Sequence, residues 1–223
     1  MRTAKFVTVS APFGLTIGGA LELTMYAHGV QACVDMRASL PELAVGILPD
    51  LGGTSELYAR CIDDYGAGNE MQALADAFRI VTQMTASRDA ESARKLHFLR
   101  ERDRVSESRQ TLLADAKAMV LDLARDFETR AHRRNIPVLG DHGYDALSHA
   151  VDAAVQSGAA TPYDGEIARA IARIMTGGPG PARTVDHEEL LDLETRYFET
   201  LVFQPKTRER MEHMLANGTP LRN

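Results

Sequence analysis

Apolar and polar positions alternate only near the start of the chain, and elsewhere they recur at helical spacing. Residues 5–11 (KFVTVSA) alternate and are rich in β-branched side chains, which predicts a strand. Pro12 ends it, and Phe13-Gly14 turns the chain. From Gly18 to about His28 the pattern becomes helical: Leu21, Met25 and Ala27 fall near one face, and Gly29 fits the stop. Residues 30–34 (VQACV) read as a second short strand. Residues 38–42 read as an irregular connection, because Pro41 excludes a central strand. Residues 45–48 are apolar and brief. Residues 49–53 form a loop, after which Thr54 can cap a helix running through Glu56 to Arg60.

After residue 60 the pattern is almost wholly helical. Residues 66–69 (GAGN) make a flexible connection to a helix over 70–84, with Leu74, Ala77, Phe78 and Val81 on one face. Ser87 or Asp89 can cap a short helix over 90–96. Leu112, Leu113, Ala116, Met119, Val120, Leu123 and Phe127 recur at threes and fours, which predicts an amphipathic helix. Residues 128–135 (ETRAHRRN) are a basic, apolar-poor link, and residues 136–140 open a last helical section. Residues 144–155 read as one helix. Thr161-Pro162-Tyr163-Asp164 signals the start of another, with Thr as cap, Pro first and Asp in the first turn. It carries Ile167, Ile171 and Ile174 and stops at Gly177-Gly178. Asp186 with Glu189 resembles a capping box, and Tyr197, Phe198 and Leu201 line the helix behind it. A final helix covers 205–216 and stops at Gly218. The composition shift divides the chain into 1–127 and a helical region over 128–223.

With 223 residues, 44% hydrophobic and 25% charged, the composition is that of a globular chain able to bury a sizeable core. The net charge of -6 argues against a general nucleic-acid binder, so an anionic ligand would need locally placed Arg, Lys or backbone N–H groups. The two cysteines, Cys33 and Cys61, lack CxxC spacing and read as buried free thiols. Arg2 and Lys5 before an uncharged run over 6–21 mimic a signal peptide. Pro12, Gly14 and Gly18-Gly19 interrupt that run, and no small-x-small cleavage site follows. No other run is apolar enough to span a membrane. The expectation is a cytoplasmic protein with no membrane or nucleic-acid partner.

The candidate chemistry sits in residues 12–53. Gly18-Gly19 opens a helix, where backbone N–H groups lack partners and negative charge is stabilised. Glu22 lies one turn along. Glu42 stands on a loop twenty positions later. Two carboxylates beside an oxyanion site suit acid–base work on a carbonyl compound. From spacing alone, tight packing for the glycines, a surface role for Glu22 and a capping role for Glu42 stay open as well. His142 and His149, seven apart, could share a helix face, but without Cys or further His nearby a surface reading is favoured over a metal site. Gly177-Gly178-Pro179-Gly180 lacks the Lys-Ser/Thr of a phosphate loop and reads as a helix stop.

Residues 17–23 (IGGALEL) resemble the GGGxEL segment of the crotonase, or enoyl-CoA hydratase, superfamily. Residues 40–49 (LPELAVGILP) resemble its PExxxGxxP segment, and Gly52-Gly53-Thr54 matches the GGT that follows. The interval between the glutamates is also the family's. Residues 86–98 are similar to a further family helix only loosely. Toward the end, residues 135–140, 175–178, 190–194 and 218–223 are similar to bacterial fatty-acid oxidation proteins in which a 3-hydroxyacyl-CoA dehydrogenase precedes a crotonase-like domain.

The resemblance implies an α/β chain: the C-terminal part of a crotonase (ββα spiral) fold followed by a mostly helical region. It implies hydration of a trans-2-enoyl-CoA in fatty-acid β-oxidation. The Gly19 N–H would be one oxyanion donor, and Glu22 and Glu42 would hold and activate water, with Glu42 passing the proton to the α-carbon. Gly18, Pro41, Gly52 and Gly53 would border the substrate. Arg130, Arg133 and Arg134 could meet CoA phosphates, although a charge run of this kind is more often a solvated linker. No metal or cofactor is implied for this portion. NAD would belong to an upstream dehydrogenase domain, since no GxGxxG unit is present.

Ala20 replaces the usual third glycine, and Asp50-Leu51 replaces small residues before Gly52. Only one predicted strand precedes Gly18, so the expectation is the tail of a longer bifunctional enzyme, poorly active alone, that associates with itself or with an upstream half. Two other readings stand beside it: a 3,2-enoyl-CoA isomerase, and a non-catalytic assembly module of a β-oxidation complex.

Overall fold

The computed structural model describes residues 1–129, 133 and 135–223. The element order is β1 (Val9–Ser10), β2 (Leu15–Ile17), α1 (Gly19–Met25), β3 (Gly29–Cys33), β4 (Arg37–Ser39), a single 3-10 turn (Glu42–Val45), α2 (Gly53–Tyr65), α3 (Glu70–Thr82), α4 (Ala90–Lys95), β5 (Arg104–Ser106), α5 (Arg109–Ala124), β6 (Ile136–Val138), α6 (Gly140–Gln156), α7 (Pro162–Met175), β7 (Arg183–Val185), α8 (His187–Val202) and α9 (Pro205–Asn217). These elements fall into two compact units that interleave along the chain: Met1–Leu40 with Thr85–Arg133, and Pro41–Met84 with Arg134–Asn223.

The first unit is built on short parallel pairs. β3 lies between β1 and β5, with Val9 opposite Gly29 and Ala32 opposite Val105. β2 pairs with β4, Thr16 opposite Ala38. β3 is buried at all five positions, the polar Gln31 included, and it forms one residue earlier than the strand expected over 30–34. α5 lies close over β3: a Cβ on Gly29 would fall 2.7 Å from Met119 Cε, so the lack of a side chain there permits the approach. Asp103 ties the loop before β5 to this sheet. Its buried carboxylate accepts the Val30 N–H at 3.0 Å and the Arg100 guanidinium, and Arg100 also donates to the Ala27 carbonyl. Cys33 is a buried free thiol, as expected, and burial raises its pKa.

The second unit is helical. Leu57, Leu74, Ile80, Ile167, Ile171, Ile174 and Leu190 are at most 1% exposed and form its core from α2, α3, α7 and α8. The Tyr58 hydroxyl spans to β6, donating to the Pro137 carbonyl at 2.7 Å, and burial pushes its pKa up. Cys61 is likewise free, buried and shifted up by burial. The two start signals expected in this region are formed: Thr161 and Asp164 exchange side-chain and backbone bonds at the start of α7, and Asp186 and Glu189 do so at α8.

Several local expectations are corrected. Residues 38–42 are not simply irregular, since 37–39 form β4, and residues 15–17, given no element from the sequence, form β2. Residues 104–106 and 183–185 are strands. Residues 136–138 are a strand paired antiparallel to β7 rather than the start of a helix. Each of these is three residues long and held by a distant partner, so no local alternation marks it. Leu113, expected on the buried face of α5, is 77% exposed; Leu112, Ala116 and Met119 form that face instead. Thr54 does not cap α2. Gly52 does, with φ 90°.

Candidate functional site

Gly18, Gly19 and Glu22 come together in the first unit. β2 runs directly into α1 through Gly18, which adopts φ 56° and ψ -133°, a conformation that favours glycine. Its N–H donates to the Ser39 carbonyl at 3.0 Å, so the β2–β4 pair continues one position and fixes where the helix begins. Gly19 is the first helical residue, and its N–H therefore has no acceptor within the helix. Glu22 lies in the first turn and is only 2% exposed. The exposed-glutamate reading is thereby removed. Thr24 steadies the same helix, donating to the Ala20 carbonyl at 2.8 Å and meeting the Ser10 hydroxyl at 3.1 Å.

Pro41, Glu42, Gly52 and Gly53 belong to the second unit. Glu42 opens the 3-10 turn with Pro41 as its cap, and the turn ends at Gly46 in the left-handed region, φ 86°. α9 packs on this turn. Thr207 donates to the Gly46 carbonyl at 2.6 Å, and Arg210 donates to the Leu43 carbonyl at 3.0 Å. A Cβ on Gly46 would sit 2.8 Å from the Thr207 Cα, so both backbone conformation and space demand glycine there. Arg210 is 2% exposed and also donates to Asp164 at 2.7 Å, to Thr161 Oγ1 at 3.1 Å and to Asn223 Oδ1 at 2.8 Å. Burial works to raise the Asp164 pKa, but the Thr161 N–H and the Arg210 guanidinium hold the carboxyl below its ordinary range.

Gly52 and Gly53 open α2, and an internal anion already occupies that opening. The Glu194 carboxylate, fully buried on α8, accepts the Gly52 N–H at 2.9 Å through Oε2. Through Oε1 it accepts the Ser55 N–H at 2.5 Å and the Ser55 hydroxyl at 2.6 Å. Negative charge at a helix N-terminus is stabilising, and here the chain supplies it itself. Glu194 and Arg210 were not singled out from the sequence. Nothing local marks them, because the groups they hold at the two openings, Gly52 and Ser55 for Glu194 and Leu43 for Arg210, lie more than a hundred residues away.

Among the other candidates, His142 and His149 are both exposed on α6. Arg130 and Arg134 lie outside the described residues. Among the described residues no group of three or more His, Cys, Asp or Glu is placed to hold a metal ion, and no helix is long and apolar enough to cross a membrane.

Comparison with known proteins places these features in context. No family model matches the sequence. The chain is 35% identical over 217 residues to a probable 3-hydroxyacyl-CoA dehydrogenase of Bacillus subtilis, covering 96% of this chain and 27% of that protein. It is 44% identical over 57 residues to a peroxisomal fatty acid beta-oxidation multifunctional protein of Oryza sativa, 26% of this chain and 8% of that one. Its structure matches a carnitinyl-CoA hydratase from Mycobacterium avium with a TM-score of 0.56 at 17% identity, over 96% of this chain and 62% of the other. The chain thus spans about a quarter of the bacterial relative's length.

Proposed function

We propose that this chain, which has the crotonase fold, supplies part of an enoyl-CoA hydratase site of fatty-acid β-oxidation within a protein that also carries 3-hydroxyacyl-CoA dehydrogenase. The observation that carries the reading is the opening of α1: an uncommitted helical N–H at Gly19 with the buried carboxylate of Glu22 one turn away. Such an N-terminus stabilises an oxygen that gains negative charge, and a buried carboxylate beside it can hold water in a fixed place.

In this reading the thioester oxygen of a trans-2-enoyl-CoA accepts the Gly19 N–H. Glu22 and Glu42 orient one water molecule. Its oxygen bonds to the β-carbon while one of its protons passes to the Glu42 carboxylate. The electron pair of the double bond moves toward the thioester, whose oxygen carries the charge. Glu42 delivers a proton to the α-carbon as the enolate collapses, giving the 3-hydroxyacyl-CoA. Water is added as a whole, and no electron acceptor is required. Arg210 and Thr207 act at one remove, holding the turn that begins with Glu42.

The test is the loss of enoyl absorbance on mixing a short trans-2-enoyl-CoA with the 223-residue chain, first alone and then fused to the portion of a longer relative that precedes the matched region. Hydration in either setting is expected, more strongly in the fusion. A folded fusion that leaves the trans-2-enoyl-CoA unchanged overturns the reading. Conversion of a 3-enoyl-CoA without hydration would assign the site to isomerisation.

A further inference from the structure

Within the second unit, α3, α6 and α7 do not close completely on one another, and residues 220–222 cross the opening. The space between them measures about 640 Å³, within the range of pockets that take small organic ligands. It exists because α6 and α7 present small residues: Ala150 and Ala154 on one side, Ala168 on the other, opposite Phe78 of α3.

Three guanidinium groups border it. Arg210 is committed to Asp164, and Arg79 to Asp76 at 2.5 Å. Arg222 differs. Its Nη2 donates to the carbonyl oxygens of Gly158 and Ala159, at 3.3 and 3.0 Å, which are neutral acceptors, and it makes no ion pair among the described residues. The pocket therefore combines an apolar interior with a single cation at its margin whose charge is not balanced by a carboxylate. A guanidinium in this position matches a carboxylate in shape as well as charge.

We propose that this cavity binds an amphiphile with one apolar tail and one carboxylate, a free medium-chain fatty acid, tail between α6 and α7 and head on Arg222. The site lies wholly within the second unit and needs neither Glu22 nor the opening of α1. A thioester of the same acid lacks the carboxylate and should not use the site in this way.

Calorimetric titration of the 223-residue chain with decanoate, decanol and decanoyl-CoA separates these cases. Decanoate should bind one to one, and decanol about tenfold or more weaker, the equivalent of about 1.4 kcal/mol. Arg222→Ala, on an exposed segment, should bring decanoate down to the level of decanol. Ala154→Trp, which fills the cavity, should abolish binding of both, with helicity by circular dichroism unchanged. Equal binding of acid and alcohol overturns the proposal, as does decanoate binding that survives Arg222→Ala. So does the absence of saturable decanoate binding to a folded chain, or binding of decanoyl-CoA as tight as that of the acid and equally sensitive to Arg222→Ala.

Discussion

Arg210 donates to the carbonyl oxygen of Leu43, 3.0 Å away and one residue beyond Glu42. A buried cation on α9 thus sets the position of a backbone turn more than a hundred and sixty residues earlier in the chain. The same guanidinium holds Asp164, so losing it leaves two acceptors short of a donor in a water-poor place.

Arg210→Met is therefore expected to destabilise the chain by about 2–4 kcal/mol, the cost of leaving a largely buried charge without its partner. Arg210→Lys should recover only part of this, because an ammonium cannot reach four acceptors in the planar arrangement that the guanidinium serves. The urea midpoint at constant slope measures both. A Met variant as stable as the parent would show that α9 holds the turn by packing alone.

Glu194→Ala should cost a similar amount, about 2–4 kcal/mol, since the Gly52 and Ser55 N–H groups lose their buried acceptor at the start of α2. Glu194→Gln keeps the shape but not the charge and should fall between. Thermal unfolding of the three proteins side by side tests the order.

Acid should weaken the chain through Asp164. Its folded-state pKa lies below the ordinary value, despite the opposing effect of burial, because the Thr161 N–H and Arg210 favour the charged form. Its contribution is fully present above the unfolded-state pKa of about 3.9 and is lost as pH falls through the lower folded value. Asp141, held down by Arg173 and the Gly180 N–H, and Glu189, held down by Arg183 and the Asp186 N–H, act with the same sign. Asp164→Asn should flatten the decline of the urea midpoint below about pH 5. An unchanged slope would remove Asp164 from the acid response.

Activity should depend on both glutamates. Glu22→Gln and Glu42→Gln are each expected to slow hydration by about 10²- to 10⁴-fold, the usual worth of general acid–base catalysis, with little change in unfolding temperature. Wild-type rates in both variants would refute the assignment.

Self-association is expected through the end of the chain. Of the apolar residues crowded there, Leu201 is buried and Tyr197 and Phe198 are half-buried, while Phe203, between α8 and α9, is 85% exposed and is the group open to a second copy. Light scattering should show mass rising with concentration, and Phe203→Asp should reduce it. A monomer at high concentration counts against this surface.

Much of the helical part was legible because its signals are local. Thr161 with Asp164 and Asp186 with Glu189 announce α7 and α8 three residues ahead, and Ile167, Ile171 and Ile174 repeat at helical spacing. Gly18-Gly19 and Glu22 were legible for the same reason: a turn requiring positive φ and a helix opening are written in consecutive residues. The strands over 5–11 and 30–34 were legible, the first longer than the Val9–Ser10 that forms, but β2, β4, β5, β6 and β7 escaped notice because three residues cannot display a period. β4 is defined by Leu15–Ile17 and β7 by Ile136–Val138, not by its own sequence. The start of α2 was misplaced at Thr54 because the group that neutralises it, Glu194, comes from α8.

The interleaving of the two units has a consequence for how the protein is made. The chain passes between them at residues 40–41, 84–85 and 133–134, so neither unit is a continuous segment. All of this chain's residues in the first unit have been synthesised by residue 133. α2 and α3, made early, can pack on each other, but the faces they turn to α6, α7 and α8 gain their cover only when those later helices have been made. The turn that begins with Glu42 receives its anchor from Arg210 only once α9 has been made. A chain cut short after residue 133 would carry Glu22 among the segments of the first unit and Glu42 on a turn without its Arg210 anchor.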